Sequence, residues 1–351
     1  TTQEYAQQAA REHLADIEEK YDAHNAAVVV LDAKTAEIRA MVGSLDYDDA
    51  SIDGKVNMAL APRQPGSSFK PYVYATAFAQ GYTPATMVMD VRTSFIDTYN
   101  QAPYVPENYS RNYHGPMLLR RALACSYNIP AVAVTQKVGA MKVVETAHTM
   151  GINTLNNPVY GLSVGLGSGE VSLLDHAFGF SVFANGGYMV GQPASEERWK
   201  PGYRRLDPVA IVRVTDAQGV VLDEYREPQR QQVIRPEVAY LVTDILSDNR
   251  ARTPAFGADN PLTLPDRPVA AKTGTTNSFR DGWAMGFTPQ YVVGVWVGNA
   301  NYQEMKGGAD GVRVAAPIWQ KVMLHLHDGM PVETFAQPPG IVTAIVDATS
   351  G

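Results

Sequence analysis

The order of strand-like and helix-like segments constrains the fold of this chain more than any other feature of its sequence. Apolar runs of β-strand character stand at 26–31 and 37–42 near one end, and at 269–273, 283–287 and 291–297 toward the other. The sequence between them spaces many of its apolar residues for helices. This order predicts an α+β fold in which both ends of the chain build one sheet around an inserted helical region.

Outside these strands, the spacing of apolar residues predicts several helices. Residues 1–22 are rich in charge and have apolar residues on one helical face, which predicts a surface or linker helix within 1–25. Residues 83–115 are rich in Tyr, Pro and Asn, which favours a loop. Further helices are predicted at 69–80, 117–123, 177–184 and 236–246. A hairpin is predicted at 209–225.

The composition limits the partners of this chain. Hydrophobic residues form 45% of its 351 residues and charged residues 19%, as in an ordinary folded protein with a buried core. The net charge is −7 and no basic run occurs, so nucleic acid is not an expected partner. The single cysteine, Cys125, excludes an internal disulfide and is compatible with either redox compartment.

Features of the two termini suggest a piece of a longer protein. No apolar run is long enough to span a bilayer, no signal peptide is visible, and the sequence begins at Thr1 instead of methionine. We therefore expect any membrane segment to belong to parts of the parent protein outside this chain. Residues 336–351 are expected to begin a C-terminal extension that includes a short strand.

Three short motifs follow one another in a fixed order and together specify a chemistry. They are Ser67-Ser68-Phe69-Lys70, Ser126-Tyr127-Asn128 and Lys272-Thr273-Gly274-Thr275-Thr276. The first supplies a nucleophile and a base, the second a proton relay and the third an anion-binding group. Such a set is suited to acyl transfer through a serine ester.

Ser67 is the predicted nucleophile because it stands at the start of a helix. The unpaired N–H groups and the positive end of the helix dipole there favour developing negative charge. Lys70 lies one turn further along on the same face and is predicted to bring its amine to the Ser67 oxygen as general base. Burial and the charge of Lys272 would lower the pKa of Lys70, as this role requires. Ser68 points away from the lysine and cannot replace Ser67.

The pattern Ser-x-Asn occurs three times, so the proton relay has alternatives. Ser126 lies between two helical runs, from which it can project into a cleft and pass protons, while Asn128 would hold the substrate amide. Ser110 stands in the Tyr-rich loop, where such residues satisfy local turns. Ser247 ends a predicted helix, where Asn and Asp act as stop signals. Ser126 is the preferred assignment, and Ser110 and Ser247 are the alternatives.

The third motif is predicted to bind the substrate along a strand. Lys272 and the hydroxyls of Thr273 and Thr275 would bind a carboxylate, and Gly274 leaves room for substrate backbone beside the strand. The backbone N–H groups of Thr275 and Ser67 would form an oxyanion hole.

Other chemistries lack their motifs. The sequence has no His-Glu-x-x-His and no phosphate loop that ends in lysine, so neither a metal ion nor a cofactor is expected. Glu170 precedes a helix that Ser172 is predicted to cap, and is interpreted as a helix N-terminal charge. Its alternative role is to activate water against an acyl-enzyme.

The chain resembles the transpeptidase domain of penicillin-binding proteins, specifically of the bifunctional class A type. The resemblance covers about residues 26–325. Besides the three motifs it rests on the stretches 31–44, 63–71, 104–108, 114–116, 119–123, 126–132, 170–172, 183–187, 272–277, 281–283 and 286–289.

This resemblance implies a fold and a division into domains. The fold is that of penicillin-binding proteins and serine β-lactamases, a five-stranded antiparallel sheet flanked by helices, with an all-helical subdomain. A transpeptidase domain is expected over 26–335, with the helical subdomain inserted at roughly 75–265. The parent protein is expected to add a membrane anchor and a glycosyltransferase domain before the linker helix.

The resemblance also implies a peptidoglycan DD-transpeptidase that acts outside the cytoplasm. Ser67 would attack the D-Ala-D-Ala terminus of a stem peptide, release D-Ala and pass the acyl group to an amine of a neighbouring strand. Expected partners are donor and acceptor stem peptides and β-lactam antibiotics, which acylate the same serine. The alternatives are a DD-carboxypeptidase or β-lactamase of the same fold, and a β-lactam sensor that does not turn over.

Overall fold

A computed structural model describes residues 1–97, 99–197 and 199–351 of the chain. Its strands, in chain order, are β1 (Asn25–Asp32), β2 (Ile38–Val42), β3 (Met87–Asp90), β4 (Phe95–Ile96), β5 (Pro103–Tyr104), β6 (Gly115–Leu118), β7 (Tyr188–Pro193), β8 (Leu206–Asp207), β9 (Arg213–Thr215), β10 (Val221–Glu224), β11 (Gln229–Gln232), β12 (Ala270–Thr275), β13 (Asp281–Phe287) and β14 (Tyr291–Gly298). Its α-helices are α1 (Thr2–Tyr21), α2 (Lys70–Ala79), α3 (Leu119–Ala124), α4 (Asn128–Val138), α5 (Ala140–Thr149), α6 (Leu173–Ala184), α7 (Pro236–Ser247), α8 (Asn249–Phe256), α9 (Gly311–Val314) and α10 (Ala316–Leu326).

The central sheet joins the two ends of the chain. Its five strands follow the order β12-β13-β14-β1-β2, and each adjacent pair is antiparallel. Strand β1 pairs on one side with its hairpin partner β2 and on the other with β14, so that Val29 lies opposite both Met41 and Gly294. The predicted five-stranded antiparallel sheet is confirmed. Because β12 is an edge strand, one side of its backbone faces away from the sheet.

Helices cover both faces of this sheet. Alternate residues of β1 point to opposite faces, so Val29 and Leu31 join one apolar core and Val28 and Val30 join another. The first core contains residues of α2, α6 and α7, and the second contains residues of α1 and α10. This two-sided burial explains why β1 is apolar along most of its length instead of alternating.

The region between β2 and β12 is mainly helical but not all-helical. It contains α2 to α8 together with short sheets formed by β3 with β6, β4 with β5, β9 with β10, and β11-β7-β8. One of these strands replaces the start of a predicted helix, because Met117 pairs with Val88 in the β3–β6 ladder and α3 begins only at Leu119. Two to six residues in a strand leave too little alternation to be recognised in a sequence.

The C-terminal segment crosses the surface without forming the expected strand. Residues 336–351 contain no strand, and their apolar side chains Val342 and Ile345 are exposed. A strand needs the backbone of a neighbour, and none pairs with this segment among the described residues. Just before it, the Phe335 ring packs on Phe287 with centroids 5.6 Å apart. Among the described helices, none combines the length and apolarity that crossing a bilayer requires.

Candidate active site

The predicted nucleophile Ser67 lies in a short 3-10 helix, Gly66–Phe69, that runs directly into α2. Its side chain is half-buried, and its hydroxyl has no hydrogen-bond partner among the described residues. Gly66 has a φ of +53°, in the left-handed region that favours glycine. A Cβ added there would lie 2.5 Å from the carbonyl oxygen and 3.0 Å from the nitrogen of Thr275. The turn that contains Ser67 is therefore packed directly against the end of β12.

The amine of Lys70 is fully buried and is held by the Ser-Tyr-Asn motif. It donates to the carbonyl oxygen of Ser126 at 2.5 Å, to Asn128 Oδ1 at 2.7 Å and to the carbonyl oxygen of Tyr127 at 3.2 Å. Burial, and then the charge of Lys272, lower the pKa of Lys70 well below its usual value. The surrounding oxygens favour the ammonium form and oppose this shift in part. No hydrogen bond joins this amine to the Ser67 hydroxyl among the described contacts, so that contact remains a prediction.

Ser126 lies between the two lysines. It lies between α3 and α4 and adopts a φ of +61°, in the left-handed region that is uncommon for residues other than glycine. Its hydroxyl accepts a hydrogen bond from Lys272 at 2.7 Å and a longer one from Lys70 at 3.4 Å. The alternatives are engaged locally, since the Ser110 hydroxyl accepts from the backbone of Asn112 and the Ser247 hydroxyl donates to the backbone of Asp244.

Asn128 is held by Asn108, for which no role was predicted from the sequence. The buried Asn108 accepts from the backbone N–H of Asn128 at 2.8 Å and donates to Asp90 at 2.8 Å. The Asn128 amide itself donates to the carbonyl oxygen of Glu107 at 2.7 Å while its oxygen accepts from Lys70. Holding a substrate amide remains a prediction for Asn128.

Lys272 reaches the same cluster from the edge strand β12. Besides Ser126, its amine donates to the carbonyl oxygen of Thr273 at 2.8 Å. Burial, followed by the charge of Arg252, lowers the pKa of Lys272 to about 7. Arg252 on α8 is buried, with its guanidinium bonded to the carbonyl oxygen of Leu246. Its sequence position, 20 residues before Lys272, gives no sign of this influence.

The remaining residues of the third motif take different positions along β12. An added Cβ on Gly274 would lie 2.1 Å from the carbonyl oxygen of Pro65, so only glycine allows this close approach. Thr273 and Thr275 lie on one face of the strand and Lys272 lies on the other face, as the alternation of side chains along a strand requires. The Thr275 hydroxyl accepts from the backbone N–H of Gly311 at 3.0 Å. The Thr273 hydroxyl has no partner among the described residues.

Tyr109 spans the cleft, and the sequence did not predict this. It follows Asn108, which is anchored beside the Ser-Tyr-Asn motif, and its hydroxyl donates to Asp310 at 3.2 Å on the opposite wall. Its ring packs edge-to-face on Phe279, which follows β12, with centroids 6.3 Å apart. Asp310 caps α9, whose first residue Gly311 bonds to Thr275.

Cavity volume does not identify this site. A cavity of about 500 Å³ lies elsewhere, and no residue of the three motifs lines it. Its walls include Phe183 of α6, Tyr240 of α7, and Phe335 just before the C-terminal segment. The open cleft at β12 is defined by its chemistry: a half-buried serine, two buried amines and a hydroxyl between them. Serine, lysines and an edge strand in one cleft define the class of serine acyl-transfer sites.

Comparison with known proteins identifies the family. The family model of the penicillin binding protein transpeptidase domain matches residues 26–324. The chain therefore belongs to the penicillin-binding protein transpeptidase domain family. It is 30% identical to penicillin-binding protein 1A of Pseudomonas aeruginosa over an alignment of 362 residues, which covers 94% of the chain and 43% of that relative. With penicillin-binding protein 1A of Aquifex aeolicus it shares 33% identity over 314 residues, or 89% of the chain and 39% of the relative. The chain thus spans about two fifths of the length of these curated relatives.

Solved structures show the same fold. The crystal structure of penicillin-binding protein 1A from Haemophilus influenzae matches with a TM-score of 0.78 at 26% identity, covering 93% of this chain and 51% of that one. The PonA1 protein of Mycobacterium tuberculosis, solved in complex with penicillin V, gives a TM-score of 0.78 at 24% identity. That match covers 97% of this chain and 88% of PonA1, and it shows a shared fold.

Proposed function

We propose that this chain performs the DD-transpeptidation that cross-links peptidoglycan. The observation on which this rests is the Ser126 hydroxyl, which accepts hydrogen bonds from the buried amines of Lys272 and Lys70 beside the turn that contains Ser67. A hydroxyl in contact with two amines can pass a proton from a nucleophile to a leaving group. That is the task of an acyl-transfer site that releases an amine.

In the acylation step, Lys70 in its neutral form takes the proton of the Ser67 hydroxyl. The serine oxygen attacks the carbonyl carbon of the penultimate D-Ala, and the N–H groups of Ser67 and Thr275 stabilise the oxyanion. The bond between the two D-Ala residues breaks, and the departing amine takes a proton through Ser126. The product is an ester at Ser67 and free D-Ala. With a β-lactam the ring opens and the amine stays attached.

In the transfer step, an amine of a neighbouring strand attacks the Ser67 ester. The proton that this amine loses returns through Lys70 or Ser126 to the serine oxygen, so the enzyme is restored. The new peptide bond is the cross-link. Water would compete for the same ester, and a site that protects the ester from water conserves the donor.

Binding of the donor would use the edge strand. Lys272 in its charged form and the Thr273 hydroxyl, which has no partner among the described residues, would bind the terminal carboxylate of the stem peptide, or that of a β-lactam, together with Thr275. Asn128 would exchange its bond to Glu107 for one to the substrate amide. The outer backbone edge of β12 would pair with the extended peptide, while Gly274 allows the turn that contains Ser67 to lie close to that strand.

The proposal includes the setting of the reaction. The partners would be donor and acceptor stem peptides and β-lactams, and the domain would extend over 26–335, with its helical insert at 75–265. Peptidoglycan is assembled outside the cytoplasm, so we place the domain there, in a parent protein anchored to the membrane.

The test is to follow a fluorescent penicillin on the purified chain. Intact-mass measurement should show one adduct, which Ser67→Ala removes and Ser68→Ala retains. Lys70→Ala should acylate more slowly by at least about a hundredfold, because the general base is lost. A thioester analogue of the donor should give a cross-linked product when a D-amino acid is added. An adduct that persists in Ser67→Ala, or no transfer to any amine, would contradict the proposal.

A further inference from the structure

A hydrogen-bonded series of buried polar groups lies directly behind the turn that contains Ser67. The Tyr72 hydroxyl lies 3.1 Å from Nδ1 of His176, and Nε2 of the same ring lies 2.9 Å from the Ser68 hydroxyl. The Ser68 hydroxyl also donates to the carbonyl oxygen of Pro65 at 2.7 Å. Tyr72, His176 and Ser68 are completely buried, each at 0% exposure. The catalytic set predicted from the sequence includes none of them.

The direction of each hydrogen bond follows from the groups at the ends of this hydrogen-bonded series. The carbonyl of Pro65 can only accept, so the single proton of the Ser68 hydroxyl points to it. The Ser68 oxygen must then accept from His176 Nε2–H, and the unprotonated Nδ1 accepts from Tyr72. The imidazole is therefore neutral, with its proton on Nε2, and every group has a partner. Burial lowers the pKa of His176 to about 3, in agreement with a neutral ring.

Pro65 and Ser68, at one end of this hydrogen-bonded series, are also the residues against which β12 packs. A Cβ added to Gly274 would lie 2.1 Å from the Pro65 carbonyl oxygen and 3.0 Å from the Ser68 hydroxyl. The imidazole therefore fixes two atoms that are in contact with the substrate-binding strand. Movement of either atom changes how closely the turn approaches β12, since packed interiors leave little slack.

A second hydrogen bond holds the same turn one residue earlier. The Trp283 indole on β13 donates to the carbonyl oxygen of Gln64 at 2.8 Å. The His176 ring lies edge-on to the Trp283 ring, with centroids 5.8 Å apart. Successive carbonyls before Ser67 are thus tied to the sheet and, through Ser68, to α6.

We propose that His176 is a positioning residue for acylation, acting through Ser68 on the turn that contains Ser67. The inference rests on the proposed function. By holding Ser68 and Pro65 against β12, the neutral imidazole sets the spacing of the two oxyanion-hole N–H groups, those of Ser67 and Thr275. Such donors are effective only at about 2.7–3.1 Å from the developing oxyanion. A histidine that merely fills the core would stabilise the fold and leave the acylation rate unchanged.

The first test compares two buried histidines. His176→Met removes both hydrogen bonds at similar volume. His327→Met is the matched control, because His327 is also buried and its Nε2 also lies 2.9 Å from a hydroxyl, that of Thr288, away from the cleft. Penicillin acylation is separated into the dissociation constant of the first complex and the acylation rate constant. We expect His176→Met to lower the rate constant by roughly ten- to a hundredfold, with the dissociation constant nearly unchanged. His327→Met should lose stability and acylate at the parental rate.

The second test leaves the histidine in place, so it applies even if His176→Met does not fold. Ser68→Ala removes the link to the turn and should slow acylation to a similar extent, while Ser68→Thr keeps a hydroxyl and should restore the rate. The double variant Ser68→Ala with His176→Met should be no slower than the slower single variant, because both residues act through one hydrogen bond.

Each outcome has one interpretation. A folded His176→Met or Ser68→Ala variant that acylates at the parental rate would overturn the positioning role, and additive losses in the double variant would do the same. These results leave the proposed function intact, because the parental chain still forms its Ser67 adduct. A parental chain without that adduct would contradict the proposed function itself.

Discussion

The Ser126 hydroxyl and the Lys272 amine meet across the catalytic cleft in a hydrogen bond of 2.7 Å. Ser126 belongs to the junction of α3 and α4, while Lys272 belongs to the edge strand of the sheet. The bond therefore joins the two walls of the cleft at the hydroxyl that also accepts from Lys70. A change in the charge of Lys272 acts both on anion binding and on proton transfer.

The pKa of Lys272, lowered to about 7, predicts a pH dependence of acylation. Above that pH the free site loses the positive charge that attracts a carboxylate. We expect the second-order rate constant for penicillin to fall as the pH rises through about 7, and Lys272→Arg to lack this decline because a guanidinium stays charged. Stopped-flow measurements across this range check the prediction. An identical decline in Lys272→Arg would assign it to another group.

Gly274 is predicted to tolerate no side chain. An added Cβ would lie 2.1 Å from the Pro65 carbonyl oxygen, so Gly274→Ala must separate β12 from the turn that contains Ser67. We expect a loss of about 1–3 kcal/mol in the free energy of unfolding and slower acylation. Gly307→Ala is the matched control, because nothing lies within 4 Å of its added Cβ. Urea titration and penicillin labelling measure both effects, and equal behaviour of the two variants would contradict the prediction.

The bond from Tyr109 to Asp310 is predicted to restrict entry to the cleft. Tyr109→Phe removes the 3.2 Å hydrogen bond and leaves the ring contact with Phe279. If the bond must break before a bulky penicillin enters, its loss should raise the second-order acylation rate constant by about two- to fivefold. Tyr113→Phe, in the same loop, is the control. Unchanged acylation by a bulky penicillin in Tyr109→Phe would show that the bond does not limit entry.

The sequence predicted the sheet correctly, and it identified three motifs that the structure brings together at one cleft; the roles of the motif residues stay predictions. Strands β1 and β14 are each eight residues long, and burial on both faces gives them a clear apolar signature. Residues within one motif are close in sequence, so their relative positions follow from helix geometry, as for Ser67 and Lys70 one turn apart.

The residues that support the motifs could not be found in this way. Asn108, Arg252 and His176 act on Asn128, Lys272 and Ser68 from positions at least 20 residues away in the chain. Only the folded chain brings them together, and an isolated buried histidine has no pattern that separates it from other polar residues. The same limit applies to short strands, whose pairing partners decide whether they form.

Burial of the neutral His176 predicts a loss of stability in acid. In the unfolded chain this histidine binds a proton below about pH 6.5, whereas in the folded chain its pKa is about 3. Between these values the unfolded state binds more protons, so the free energy of unfolding falls as the pH is lowered. Relative to His176→Met, we expect the parental chain to lose on the order of 2–3 kcal/mol between pH 7 and 4.5. Urea titrations at both pH values measure this, and parallel changes in the two proteins would contradict it.

The last prediction separates a cross-linking enzyme from a β-lactamase, the alternative of the same fold. A β-lactamase needs a base fixed beside the ester, and Glu170 is the carboxylate that the sequence offers for this role. In the structure Glu170 is exposed, and it accepts a hydrogen bond of 3.3 Å from the Tyr302 hydroxyl, which also lies 3.3 Å from the carbonyl oxygen of Pro62. A carboxylate held at the surface by a tyrosine is poorly placed to activate water inside the cleft.

We therefore expect the penicilloyl ester at Ser67 to last on the order of minutes to hours, far longer than ordinary turnover. Glu170→Gln should leave this lifetime unchanged, because the amide keeps the shape of the side chain and removes only its basicity. Loss of fluorescence from labelled protein after removal of free penicillin measures the lifetime. A D-amino acid should shorten the life of a thioester-derived acyl-enzyme, since an amine is the intended acceptor. Rapid penicillin clearance that disappears in Glu170→Gln would instead identify Glu170 as a hydrolytic base and the chain as a β-lactamase.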